Sequence, residues 1–266
     1  MNVPSGDAVL YCEEQGSGPP LVLLHPFPSN HKFWGPVLPE LAQRYRVLTP
    51  DLRGSGGSSA GQGPATMAKH AADIERVCVA SGVRKAAFIG VSIGGYILFE
   101  FWRRHADRVA ALVLSDTRAT PDTPEGRAAR LKSIPEVEQH GPAAFVQNMS
   151  LKLLGETTRR NRPDVTRSAL DILNESTVAG IAALQQGMAE RPDSVPTLAA
   201  INVPTLVVVG EEDTLTPPSD AQQLHEGIAG SRLVRIPQAG HFAPFEQPEA
   251  FAKAVRAFLD SQPRWE

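Results

Sequence analysis

Ser92 stands at the centre of Gly90-Val91-Ser92-Ile93-Gly94, between an apolar run from Ala87 to Val91 that reads as a strand and a run from Ile93 to His105 that reads as a helix. A serine at so tight a strand-to-helix bend is held in a strained backbone conformation, and the turn admits no side chain two positions before or after it. Gly90 and Gly94 meet that demand. Such a bend lifts the hydroxyl clear of the sheet edge, with the N–H of Ile93 at the helix start facing the same point. The chemistry expected of it is nucleophilic attack on a carbonyl carbon. The same pattern recurs around Ser59, from Gly57 to Gly61, but no apolar strand precedes it and Pro64 follows soon after. That copy reads as a surface loop.

A serine hydroxyl needs a base and an orienting acid before it can attack an ester near neutral pH. Of the seven histidines, His241 is the expected base, because it follows a short strand (Leu233 to Ile236) and a turn (Pro237 to Gly240). His70, His105, His140 and His225 fall in or at the ends of expected helices, where an ordinary packed or exposed role suffices. Asp213 is the expected acid, placed after the strand Thr205 to Val209 and ahead of a helix announced by Pro217 and Pro218. Asp116, at the end of the strand Ala111 to Leu114, is its rival for the same imidazole. An oxyanion needs two N–H donors. Ile93 offers one, and Phe27 the other, since it is the only one of positions 26 to 28 with an N–H and its flanking prolines stiffen the loop. His25, Trp34, Phe145, Met149 and Phe242 are further candidates for the substrate pocket.

Taken together, His25-Pro26-Phe27-Pro28, Asp51-Leu52-Arg53-Gly54-Ser55-Gly56, Gly90 to Gly95, Gly210 to Asp213 and Gly240-His241-Phe242 resemble, in type and order, the motifs of α/β-hydrolase fold serine hydrolases. The likeness is greatest to the small carboxylesterase and β-ketoadipate enol-lactonase-like branch, which is also similar to cofactor-free perhydrolases. It implies Ser92 as nucleophile, Asp213 as acid, His241 as base, and Phe27 with Ile93 as oxyanion amides. The implied activity is cleavage of small-molecule carboxylic esters or lactones without a cofactor or metal. Carbon–carbon bond hydrolysis and a receptor-like binding role are the more remote alternatives. One departure is visible: the family usually has His-Gly where this chain has His25-Pro26, so any chemistry relying on that amide is excluded.

The elements that must position these groups alternate as βαβ units do, which predicts an α/β fold with a mostly parallel central sheet flanked by helices. Helices are expected over Thr66 to Ser81, with Ile74, Val77 and Cys78 on one side, and over Pro248 to Leu259, with Phe251, Val255, Phe258 and Leu259 on one face. Between Asp116 and Pro204 the alternation stops for far longer than an ordinary connection. Residues 118–200, punctuated by prolines, are therefore read as short helices of an inserted cap, with residues 1–117 and 201–266 as the core domain. The insert carries equal numbers of acidic and basic residues, so its net charge gives no reason to expect strong capture of anions.

With 266 residues and a formal net charge of −3, the chain has ample length for a buried core and lacks the basic balance of a nucleic-acid binder. Cys12 and Cys78 form neither a disulfide framework nor a metal-ligand spacing. The amino-terminal residues carry no secretory pattern, and no apolar run is long enough to span a bilayer. A cytoplasmic enzyme with no membrane partner is the expectation, and neither monomer nor homodimer is specified.

Overall fold

The computed structural model describes residues 1–263 and Trp265. Its strands are β1 (Asn2–Ser5), β2 (Ala8–Gln15), β3 (Pro20–Leu24), β4 (Arg46–Pro50), β5 (Ala86–Val91), β6 (Val109–Ser115), β7 (Thr205–Gly210) and β8 (Arg232–Ile236). They form one 8-stranded sheet in the order β1-β2-β4-β3-β5-β6-β7-β8. The β1–β2 and β2–β4 pairings are antiparallel and the rest are parallel. Strands β3 and β5 have no polar face because helices cover both sides of the sheet. Along them, Val22, Leu24 and Phe88 pack into one core, while Leu21, Leu23, Ala87, Ile89 and Val91 pack into the other.

Helices α1 (Leu38–Leu41), α2 (Met67–Ala80) and α3 (Ile93–His105) belong to the first half of the chain. Between β6 and β7 come α4 (Pro124–His140), α5 (Pro142–Leu153), α6 (Glu156–Asn161), α7 (Pro163–Leu173), α8 (Val178–Ala189) and α9 (Val195–Leu198). Helices α10 (Pro218–Gly227), α11 (Ala243–Glu246) and α12 (Pro248–Leu259) complete the chain. Helix α2 begins where Thr66 accepts a hydrogen bond from the Lys69 N–H at 3.3 Å, a side-chain cap that satisfies one free donor of the first turn. Phe251, Val255, Phe258 and Leu259 of α12 are buried as one stripe.

The prolines of the long insert mostly start helices instead of ending them. Pro124, Pro142, Pro163 and Pro196 each occupy a first-turn position, where a missing N–H costs nothing. Pro135 departs from the expected punctuation, for it lies inside α4. The carbonyl it leaves without a helical donor belongs to Leu131, which is 43% exposed, so water can satisfy it. Helix α8 meets the core through glycines: a Cβ on Gly180 would run into Gly54 O, and one on Gly187 into Ala65 O. Ala65 N also donates to Ala183 O at 2.9 Å. Earlier in the insert, Gly155 N lies where a Cβ on Gly240 of the core would collide with it, and Gly155 N donates to Glu246 Oε2 at 2.8 Å.

Near the amino-terminal strands, His31 lies between two carboxylates, with Nδ1 2.9 Å from Asp51 Oδ1 and Nε2 3.4 Å from Glu13 Oε1. Burial works against the charged ring, but the hydrogen bond and charge of Asp51, joined by the charge of Glu13, outweigh it and raise the His31 pKa. A group raised on folding adds stability that is complete below its unfolded value, about 6.5, and is lost as pH climbs through the folded value. His31→Gln should therefore lower the melting temperature more at about pH 5.5 than at about pH 8.5. Thermal denaturation at the two pH values measures the difference, and equal losses would refute it.

Candidate active site

Strand β5 ends at Val91 and α3 begins at Ile93, leaving Ser92 alone at the bend with φ 55° and ψ −112°. A non-glycine residue persists in such a conformation only when its surroundings hold it. Here Ser92 N donates to Ser115 O at 3.1 Å, and Thr117 Oγ1 donates to Ser92 O at 2.7 Å. The flanking glycines are required by close approach: a Cβ on Gly90 would stand 2.5 Å from Gly94 C, and one on Gly94 2.5 Å from Leu24 O. Ser59, in the second copy of the pattern, instead bonds Val9 N at 2.9 Å through its hydroxyl, as a loop residue would.

His241 is buried on the loop after β8, with Nδ1 2.8 Å from Asp213 Oδ2. Asp213 is itself clamped by the turn that follows β7. Its Oδ1 accepts from Leu215 N at 2.8 Å and Thr216 N at 3.1 Å, and its Oδ2 accepts from Thr216 Oγ1 at 2.6 Å. Thr216 Oγ1 is also 3.1 Å from His241 Nδ1. These partners assign the proton to Nδ1, facing Asp213, which leaves Nε2 an acceptor. Burial alone would raise the Asp213 carboxyl, but the charge and hydrogen bond of His241, followed by the Thr216 donors, hold it below the ordinary carboxylate value.

Asp116 takes a different place. Its Oδ2 accepts from Ser115 Oγ at 2.6 Å and its Oδ1 from Gly210 N at 2.8 Å, so it braces the exit of β7 and makes no bond to His241. Complete burial, then the nearby charge of Asp213, push its carboxyl well above the usual range. The negative charge facing the imidazole is therefore that of Asp213.

Ser92 and His241 open onto one cavity of about 360 Å³, where Phe27, Phe145 and Met149 also form part of the wall. Neither Phe27 N nor Ile93 N donates a hydrogen bond among the described residues; Phe27 lines the cavity, and Ile93 is buried beside Ser92. The other three pocket candidates lie elsewhere. His25 is buried, with Nδ1 2.9 Å from Pro26 O and Nε2 accepting from Leu52 N at 3.0 Å, and it ties the β3 exit to the β4 exit. Burial lowers its pKa. Trp34 and Phe242 pack edge-on against the Phe33 ring, each at 5.0 Å between centroids, because the apolar gap between sheet and α11 absorbs them.

Sequence reasoning missed Thr216 and Thr117, and it missed the polar wall formed by Tyr96, Arg118, Arg130, Lys152 and Gln185. An Asp followed three positions later by Thr is a turn signal that points to Thr216; the wall residues come from four helices and the loop after β6 and have no such signal. The balanced charge of the insert is also not how the cavity is charged. Arg118, Arg130 and Lys152 line it against one carboxylate, Asp122, and that carboxylate is held by Arg130 at 2.6 Å and Arg191 at 2.8 Å. No group of three or more His, Cys, Asp or Glu side chains suited to a metal ion occurs among the described residues. No described helix is long and apolar enough to cross a membrane.

Comparison with known proteins agrees with this architecture. A solved thermophilic esterase from Thermogutta terrifontis superposes with a TM-score of 0.95 and 38% identity, covering 98% of this chain and 97% of that one. A pimeloyl-[acyl-carrier protein] methyl ester esterase of Neisseria meningitidis is 32% identical over 90% of this chain and 92% of its own length. The 3-oxoadipate enol-lactonase 1 of Acinetobacter baylyi is 26% identical over 92% of this chain and 90% of its own. A family model described as alpha/beta hydrolase fold matches residues 19–248, a span that runs from β3 through the Ser92 bend to the His241 loop, and the chain belongs to that family.

Proposed function

We propose that the protein hydrolyses carboxylic esters or lactones of small molecules through Ser92, His241 and Asp213, by way of an acyl-enzyme. The observation that carries this reading is the 2.8 Å contact of His241 Nδ1 with Asp213 Oδ2, on a loop that opens onto the same cavity as Ser92. His241 Nε2 takes the proton of Ser92 as Oγ attacks the carbonyl carbon, and Asp213 stabilises the imidazolium. The N–H groups of Phe27 and Ile93 hold the oxyanion. Collapse expels the alkoxide, which takes the proton from Nε2; water, deprotonated by the same nitrogen, then releases the acid and restores Ser92. In a lactone the alkoxide stays tethered to the acyl group and departs with it. No hydrogen bond joins Ser92 Oγ to the imidazole among the described residues, and bonds of this kind tighten when substrate is bound. Residues 118–200 act as the cap in this reading, with α4, α5 and α8 contributing the substrate-facing wall.

A fluorophosphonate, which reacts with activated serines, tests the nucleophile directly. Intact mass is expected to show one adduct per chain and peptide mapping to place it on Ser92. Modification of a different serine, or none under conditions that label a control esterase, would overturn the assignment.

A further inference from the structure

On the outer side of α5, across from the catalytic cavity, lies a cleft of about 410 Å³ between α4 and α5. Val137 and Ala144 give it an apolar lining, and His140 stands at its edge. Phe145, Met149 and Lys152 line this cleft and the catalytic cavity alike. The two spaces are therefore neighbours, separated by the side chains of Phe145 and Met149, one helical turn apart on α5. Both are half-buried, as residues that face two spaces are.

We propose that this cleft is the outer chamber of the substrate site and receives the alkyl tail of a medium- or long-chain acyl group, with Phe145 and Met149 as the movable partition. The inference rests on the ester-hydrolase reading for its direction. The alkoxide oxygen must face His241 Nε2 to receive a proton, and the carbonyl oxygen must face the amides of Phe27 and Ile93. The remaining substituent of the carbonyl carbon, the acyl chain, leaves along the Phe27 side. There it meets the Phe145 ring, 5.9 Å from that of Phe27 and edge-on to it, and the cleft is immediately beyond. The catalytic cavity sets Arg118, Arg130 and Gln185 among its apolar residues, whereas the surface of the cleft is more strongly apolar, with Glu136, His140, Asn148 and Lys152 as its polar lining. Methionine, unbranched and flexible, is well suited to yield to a chain of variable length.

The test compares kcat/KM for p-nitrophenyl acetate, hexanoate and decanoate. Each methylene that enters the chamber is expected to gain up to about fourfold in kcat/KM. Ala144 is exposed, so Ala144→Trp fills the cleft without disturbing a core, and it should lower the decanoate-to-acetate ratio at least about tenfold. Met149→Ala, which opens the partition, should raise the same ratio. An unchanged ratio in Ala144→Trp, or a lowered one in Met149→Ala, would overturn the proposal. Calorimetry with decanoate, the product acid, separates this inference from the ester-hydrolase reading. Loss of decanoate binding in Ala144→Trp upholds the chamber even if no ester is cleaved, and undiminished binding removes it even if acetate is turned over.

Discussion

Replacing Ser92 by alanine should lower kcat for p-nitrophenyl acetate by roughly 10⁶-fold, by analogy with loss of the nucleophile in other triad hydrolases. The remainder would come from oxyanion donors and substrate binding, which the substitution leaves in place. Because the backbone at position 92 is held by Ser115 O and Thr117 Oγ1 and not by the Ser92 hydroxyl, Ser92→Ala should fold with an unaltered circular dichroism spectrum. A folded variant that retains more than about a hundredth of the wild-type rate would mean that another group performs the attack.

The second expected result sets Asp213→Asn beside Asp116→Asn. Asparagine at 213 would turn an amide N–H toward His241 Nδ1, favouring the tautomer with the proton on Nε2, which cannot accept from Ser92. It would also remove the charge that stabilises the imidazolium. The loss is expected to be about 10⁴-fold in kcat, as for the same change in other hydrolases of this chemistry. Asp116 should behave otherwise. Its raised pKa makes a neutral asparagine a close mimic, and the acceptor for Gly210 N is kept, so Asp116→Asn should stay within about tenfold of wild type. If the two variants lose activity equally, Asp213 does not hold the acid role.

What was legible beforehand follows from how local each constraint is. The bend at Ser92 could be read because its glycines answer to contacts within the motif and with the adjoining strand, and the parallel sheet could be read because β3 and β5 are apolar on both faces. Asp213 and His241 were findable from their places after β7 and β8. The pocket was harder. Phe27, Phe145 and Met149 line the cavity while Trp34 and Phe242 pack against Phe33, and side-chain type cannot tell these fates apart, since an aromatic ring suits a core as well as a wall. The cationic wall was invisible for another reason: charges that cancel along residues 118–200 are segregated by folding, with Lys152 turned to the cavity and Glu156 paired with Arg160 elsewhere.

The glycine contacts of the insert decide which parts of it are tied closely to the core. Gly180 and Gly187 press α8 backbone-to-backbone on the core, and Gly155 is pressed likewise against Gly240 beside the His241 loop. A side chain at any of these glycines would force the junction apart, so both are close backbone contacts that frame the cavity. Between them and β6 lie α4 and α5, which α8 holds through side chains: Arg130 donates to Gln185 at 2.9 Å and Gln185 donates to Ser133 at 3.0 Å. Any widening of the entrance would thus fall to that leaf, latched by polar side chains, while the frame around Ser92 and His241 is held by backbone contacts.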